Sequence, residues 1–206
     1  MIPLFIDALS NKLKTTLPGW DAQKKMMMIP NRFSLEDDEN KGKPASVLLL
    51  LYPSDKGWFF FLTIRSQKVE HHKGQISLPG GVVKDNESNE GAAIRETNEE
   101  IGVEKNIIKI IGGLTSFYVP ISNFRIFPYV GWTNKKPRTK VQDSEVERIF
   151  SVSINDLMLD NNLKLKQEIF SDQTVTIPYF DLGGEVVWGA TSMILSEFKI
   201  ILRGMK

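Results

Sequence analysis

The 206-residue chain has no cysteine and only two histidines, adjacent at His71 and His72. Without cysteine there can be no disulfide scaffold, Cys-ligated zinc, iron–sulfur cluster or thiol nucleophile. Two neighbouring histidines leave no multi-histidine metal site within one chain. Charge of one sign is lacking as well. The 26 Lys+Arg face 25 Asp+Glu, a formal net charge of +1, which speaks against a protein that coats nucleic acid. The longest apolar run, Ala45 to Tyr52, is interrupted by Ser46 and is far shorter than a bilayer span. The start MIPLFIDALSNKLK lacks a basic n-region, and Asp7 breaks its apolar stretch, so it does not read as a signal peptide. These absences predict a cytoplasmic protein with neither a membrane nor a nucleic-acid polymer as partner.

What is present suits one globular domain over residues 1–206. Hydrophobic residues make up 41% and charged residues 25% of the chain, enough apolar material for a core without covalent staples. Phe5, Leu9 and Leu13 recur every four residues and predict a short amphipathic helix ending near Pro18-Gly19. The stretch 29–44, with Pro30, Pro44 and the run Glu36-Asp37-Asp38-Glu39, reads as a solvated loop. Ala45–Tyr52 and Trp58–Arg65 read as strands joined by a turn at 53–57. Helix is predicted over 87–101, then strands over 107–119 and 124–132. A helical turn near 155–159, a strand over 175–179 and a closing helix over 189–202 complete the reading. Gly112-Gly113 and Gly183-Gly184 read as turns. Strands mixed with a few helices imply an α/β or α+β layered domain.

The chemistry concentrates between Gly80 and Val103, GGVVKDNESNEGAAIRETNEEIGV. On a helix, Ala93, Ile94, Thr97 and Ile101 share one side, while Glu96, Glu99 and Glu100 gather on the other. Three adjacent carboxylates repel one another, and a hard divalent cation such as Mg²⁺ or Mn²⁺ is the counter-charge that carboxylate oxygens prefer. A solvated acidic face is the alternative for three glutamates alone. Their surroundings favour the cation. Gly80-Gly81 allows a tight loop whose carbonyl can face it, Gly102 sits where a left-handed cap would end the helix, and Arg95 can pair back to Glu87.

The spacing Gly81, Glu87, Arg95-Glu96, Glu99-Glu100, Gly102-Val103 resembles the Nudix box, GX5EX7REUXEEXGU, with Thr97 at the usually aliphatic position. Upstream, FLTIRSQKVEHHKGQISLPGG is similar to the motif that precedes the box in the coenzyme A pyrophosphatase branch. Leu62, Thr63, Arg65, Ser66, Gly74, Pro79, Gly80 and Gly81 match in place, with Glu70 where that motif has a second arginine. FRIFPYVGW and WGATSMIL are looser matches downstream.

The resemblance implies the Nudix fold, a mixed sheet between helices, with residues 1–44 as an N-terminal helical extension and loop and 45–206 as the core. It implies a metal-dependent pyrophosphatase using Mg²⁺ or Mn²⁺ on a small nucleoside diphosphate derivative, coenzyme A or acyl-coenzyme A by the branch motif. Glu96, Glu99, Glu100 and the Gly81 carbonyl would hold the cations. Glu96 or Glu100 would handle the proton, Arg95 and Glu87 would brace the loop, and Glu145 is a candidate late general base. Arg65, Ser66, Lys73 and Gly80 would meet substrate, with Lys68 nearby. His71 and His72 read as a solvated loop pair. Alternatives are another nucleoside diphosphate derivative (ADP-ribose, a dinucleotide or a nucleoside triphosphate) or a non-catalytic nucleotide sensor. The first 40 residues either pack on the core or contribute to a homodimer interface.

Overall fold

Leu48 to Tyr52 are all large and apolar, so a strand carrying them needs cover on both faces. The computed structural model, which describes residues 2–29, 41–66, 74–142, 144–170 and 172–205, supplies it. Strand β1 (Lys43–Ser54) lies inside an eight-stranded mixed sheet, and all five residues are buried. It runs parallel to β7 (Phe124–Trp132) along one edge. Its other edge is shared. The C-terminal half pairs with β2 (Gly57–Arg65), Leu51 opposite Phe60. The N-terminal half pairs with β4 (Gly80–Val82), Ser46 opposite Gly81 and Val47 opposite Gly80. β3 (Ile76–Ser77) pairs with β2, so the segment 76–82 crosses from β2 to β1 and enters the gap where those strands diverge. β5 (Lys109–Gly113) and β6 (Phe117–Val119) pair with β7, and β8 (Val146–Ser153) with β2.

Even-numbered residues of β1, Leu48, Leu50 and Tyr52, pack with Phe61 and with Ala93 and Ile101 of helix α3 (Asn89–Ile101). Odd-numbered Leu49 and Leu51 face the opposite layer. There they meet Ile6, Leu9 and Leu13 of α1 (Leu4–Leu13) and Ile194, Leu195 and Phe198 of α5 (Gly189–Arg203). The sheet is therefore sandwiched between helices, as expected. A second sheet of three antiparallel strands is formed by β9 (Leu163–Phe170), β10 (Gln173–Leu182) and β11 (Glu185–Val187), after the short helix α4 (Ile154–Met158). Among the described residues, no helix is long and apolar enough to cross a membrane.

Several sequence expectations shift. The first helix ends at Leu13, and Gly19 instead precedes a separate short helix α2 (Trp20–Gln23). The expected strand 107–119 is broken into a 3₁₀ turn, β5 and β6. Gly112-Gly113 is not a turn. It lies in β5 at a register shift against β7, with Leu13 packed close on Gly112. Gly183-Gly184 does form the turn between β10 and β11. β8, β9 and β11 have no counterpart in the sequence reading, because none carries a long buried run. The acidic run 36–39 lies outside the described residues.

The described part of the first 40 residues packs on the core. Glu197 of α5 is fully buried and accepts from the Gly19 N–H (3.1 Å), the Gln23 Nε2–H (2.9 Å) and the Thr115 hydroxyl (2.6 Å). The Thr115 N–H also points at it, 3.2 Å from Oε2. Ser196 adds a hydroxyl bond to the Ala22 carbonyl at 2.8 Å.

Candidate active site

Helix α3 begins where the Ser88 hydroxyl accepts the Gly91 N–H at 3.0 Å, an N-cap that satisfies one orphan donor. It ends at Gly102, whose φ of 72° is the left-handed cap expected there. Ala92, Ala93, Thr97 and Ile101 are buried against the sheet. Thr97 fits a position that favours an aliphatic residue because its hydroxyl donates to the Ala93 carbonyl at 2.7 Å. Nothing polar is left unpaired by the exchange.

The three glutamates do not share one solvated face. Glu100 is 3% exposed and turns inward, whereas the Glu99 side chain is 49% exposed. This corrects the helical-face expectation. Position 100 falls at the margin of the buried stripe, where β4 reaches α3 from below. There Glu100 Oε2 accepts the Gly80 N–H at 3.1 Å, and Arg65 Nη1 lies 3.9 Å from Oε1. Burial pushes the Glu100 carboxyl up to about 8, opposed by the Gly80 N–H and Arg65 and reinforced by Glu96 and Glu145.

Arg95 is the organiser of the outer part. Its Nε and Nη2 each lie 2.8 Å from one oxygen of Glu87, so the pairing back to Glu87 takes a two-pronged form. Its Nη1 meets Glu96 at 2.5 Å and Glu99 at 2.9 Å, and its Nη2 also donates to the Val82 carbonyl at 3.0 Å. One guanidinium thus pins the loop 82–87 to the helix. The Glu87 carboxyl is held down at about 2, chiefly by that bond to Arg95, and the Arg95 guanidinium is raised, chiefly by the bond to Glu87.

Gly80 and Gly81, expected in a tight loop, instead lie in β4, and close approach requires glycine at both. A methyl on Gly81 would lie 2.6 Å from the carboxyl carbon of Glu96. A methyl on Gly80 would be driven into the Ser46 carbonyl and to 2.6 Å from the Val47 Cα. Only glycine lets this backbone lie between β1 and the glutamates. The donors that result are hard oxygens. They are the buried Glu100 carboxylate, which accepts the Gly80 N–H at 3.1 Å, a second carboxylate against the Gly81 backbone, and Glu99 one turn on from it. That donor chemistry fits Mg²⁺ or Mn²⁺. Among the described residues no three acids are drawn together in metal-ligand geometry, because Arg95 takes up Glu96 and Glu99.

Of the expected substrate contacts, Arg65 ends β2 and stands 3.9 Å from Glu100, Ser66 follows it, and the Gly80 N–H donates to Glu100. Arg65 Nε is buried with no hydrogen-bond partner among the described residues. Glu145 is exposed in the turn before β8, and its carbonyl accepts the Ser66 N–H at 2.9 Å, which fixes it near Glu100. Lys68, Glu70, His71, His72 and Lys73 lie outside the described residues. Sequence reasoning missed Lys84, whose Nζ stands 3.9 Å from Glu99. It also missed the Val82 carbonyl on Arg95, since backbone acceptors carry no residue-type signal.

A profile of the NUDIX domain matches residues 42–173 of the chain. The chain belongs to the Nudix family. Its residues share 31% identity over 170 positions with "Nudix hydrolase 15, mitochondrial" of Arabidopsis thaliana, covering 79% of this chain and 59% of that protein. They share 30% identity over 122 positions with "Peroxisomal coenzyme A diphosphatase ndx-8" of Caenorhabditis elegans, covering 57% of this chain and 52% of that protein. The chain therefore spans little more than half the length of these relatives. Among solved structures, the Nudix hydrolase RenU from M. smegmatis superposes with a TM-score of 0.58 at 15% identity, covering 80% of this chain and 88% of that one. That likeness is one of fold: a mixed α/β Nudix fold.

Proposed function

We propose that the protein is a metal-dependent Nudix pyrophosphatase that hydrolyses coenzyme A or an acyl-coenzyme A to 3′,5′-ADP and 4′-phosphopantetheine. The observation that carries the hydrolase reading is the convergence of Glu100, Arg65, Gly80 and the Gly81–Glu96 approach at one end of α3. Glu96, Glu99, Glu100 and the Gly81 carbonyl would hold Mg²⁺ or Mn²⁺, which, when bound, polarises phosphoryl oxygens and acidifies a water. The residues of the chain do the rest. Arg65 offers a guanidinium to the diphosphate, and its buried Nε, without a hydrogen-bond partner among the described residues, is a further donor. Glu96 or Glu100 would take the proton of the attacking water, with Glu145 as the further candidate. Arg95 and Glu87 keep the loop that follows Gly81 seated on the helix.

Two features support coenzyme A as the substrate. The matches from Leu62 to Gly81 follow the coenzyme A branch motif, and one relative bears the name of a coenzyme A diphosphatase. Glu70, where that motif has arginine, favours the second reading, a Nudix hydrolase of ADP-ribose, a dinucleotide or a nucleoside triphosphate.

The test is a panel of coenzyme A, acetyl-coenzyme A, ADP-ribose, NADH and diadenosine polyphosphates with Mg²⁺ or Mn²⁺, with products resolved by chromatography. Cleavage selective for the coenzyme A compounds is expected. Glu99→Gln/Glu100→Gln abolishes it, whereas Glu145→Gln, at an exposed turn, lowers kcat by less than about tenfold, below the usual loss for a general base. Better turnover of ADP-ribose overturns the substrate, and no metal-dependent hydrolysis overturns the enzyme.

A further inference from the structure

Strand β9 is the open margin of the three-stranded sheet: among the described residues it pairs only with β10. Edge strands are normally blunted by charge, twist or cover, because their free N–H and C=O groups accept any second strand. Here the alternation of LKLKQEIF puts Leu163, Leu165, Gln167 and Ile169 on one face, and these aliphatics are 45%, 67% and 77% exposed. Ile29, 63% exposed, bridges to Thr176, which stands opposite Gln167, so Ile29 lies on the same face of the sheet as these aliphatics. The lysines that would repel a newcomer are already neutralised. Lys164 pairs with Asp181 at 2.6 Å and Lys166 with Glu168 at 2.5 Å.

We propose that β9 pairs antiparallel with β9 of a second copy of this chain, about a two-fold axis through Gln167. The side-chain sequence carries the choice of partner. In this register Leu165 stands opposite Ile169 of the other copy on the apolar face, and Lys166 stands opposite Glu168 on the other. The two Lys166 and two Glu168 side chains then form a quartet alternating in sign. Sliding by one pair sets Glu168 against Glu168, or sets Lys166 against Lys166 while Lys164 meets Glu168; either slip adds a like-charge pair at the axis and separates Leu165 from Ile169. One register is thus selected, and it is self-complementary, as a two-fold interface must be. A single strand pairing is a small interface, at or below the roughly 1,200 Å² of standard complexes, so the dimer dissociates at about micromolar concentrations.

Sedimentation velocity of the full chain from about 1 to 300 µM tests this, a range that brackets such a constant. The wild type is expected to dimerise. Lys166→Glu and Glu168→Lys each place like charges opposite twice across the axis and weaken dimerisation by about tenfold or more. The double exchange Lys166→Glu/Glu168→Lys restores alternation and returns the dissociation constant to within about threefold of wild type. Ile169→Lys, on the opposite face, also weakens it, while melting temperatures confirm that each variant is folded. A wild type that stays monomeric throughout overturns the proposal, as it would if another part of the same chain covered this face. So does a dimer indifferent to the single exchanges, or a double exchange no better than either single one.

Discussion

Gly80 and Gly81 are neighbours in sequence but meet different obstacles, and their substitutions separate folding from function. A methyl at Gly80 collides with backbone, the Ser46 carbonyl and the Val47 Cα, which the centre of the sheet cannot move. Gly80→Ala is expected to destabilise the protein by about 2 kcal/mol or more, the range for overpacking a tight interior. A methyl at Gly81 collides with the end of the Glu96 side chain, which can rotate away. Gly81→Ala is expected to leave the melting temperature within a few degrees while activity falls by about a hundredfold through the displaced carboxylate. Paired thermal melts and turnover assays on the two variants check this. A reversed pattern would contradict the placement of Gly81 against Glu96. The glycine pair was legible in the sequence as a motif. The obstacle behind each glycine was not, because Ser46 and Val47 stand far from them along the chain.

Helix α3 and its loop form one electrostatic element through Arg95. Spacing alone predicted the pairing to Glu87, since both residues belong to one short segment. It did not predict that Glu100 would leave the acidic face, because that depends on β4 arriving beneath the helix. The Glu87 carboxyl is held at about 2, below its ordinary 4.5. The folded form therefore binds its proton less readily than the unfolded chain. The pairing contributes stability above about pH 4.5 and loses it as pH falls towards 2. Urea unfolding of wild type and Glu87→Gln across this window is expected to show a gap in stability at neutral pH that closes under acid. A gap independent of pH would place the role of Glu87 in packing rather than in charge. β9 shows the opposite limit of legibility. Its alternation is plain in the letters, but alternation announces a strand with one wet face, and here the aliphatic face is the wet one.

In the whole molecule, the sheet is the divider between two tasks. One side carries α3 and the site; the other carries α1, α2 and α5, with Glu197 of α5 tied to Gly19 and Gln23 at α2 and to Thr115. Replacing Glu197 by Leu leaves the Gly19, Gln23 and Thr115 donors without their acceptor, at an expected cost of about 3 kcal/mol. Limited proteolysis is expected to open the segment 14–29 first, with kcat per folded molecule changed little, since this face is remote from Glu100. Loss of activity ahead of proteolytic opening would instead tie this layer to the site.

Spacing within short segments was enough to point to the family that the domain profile then shows, and to the residues proposed for the site. Carboxylates three and four residues apart on a helix, a glycine pair and one arginine act locally, and local geometry is fixed by the helix repeat. The same holds for the buried centre, where Leu48 to Tyr52 admit no exposed face. Contacts across the chain could not be read that way. That Glu100 is buried beside Arg65, that Glu197 anchors residues 19–23, and that β9 is left open all depend on which strands become neighbours. That choice follows from burying both faces of β1 at once, a condition met by the folded chain as a whole and by no segment of it.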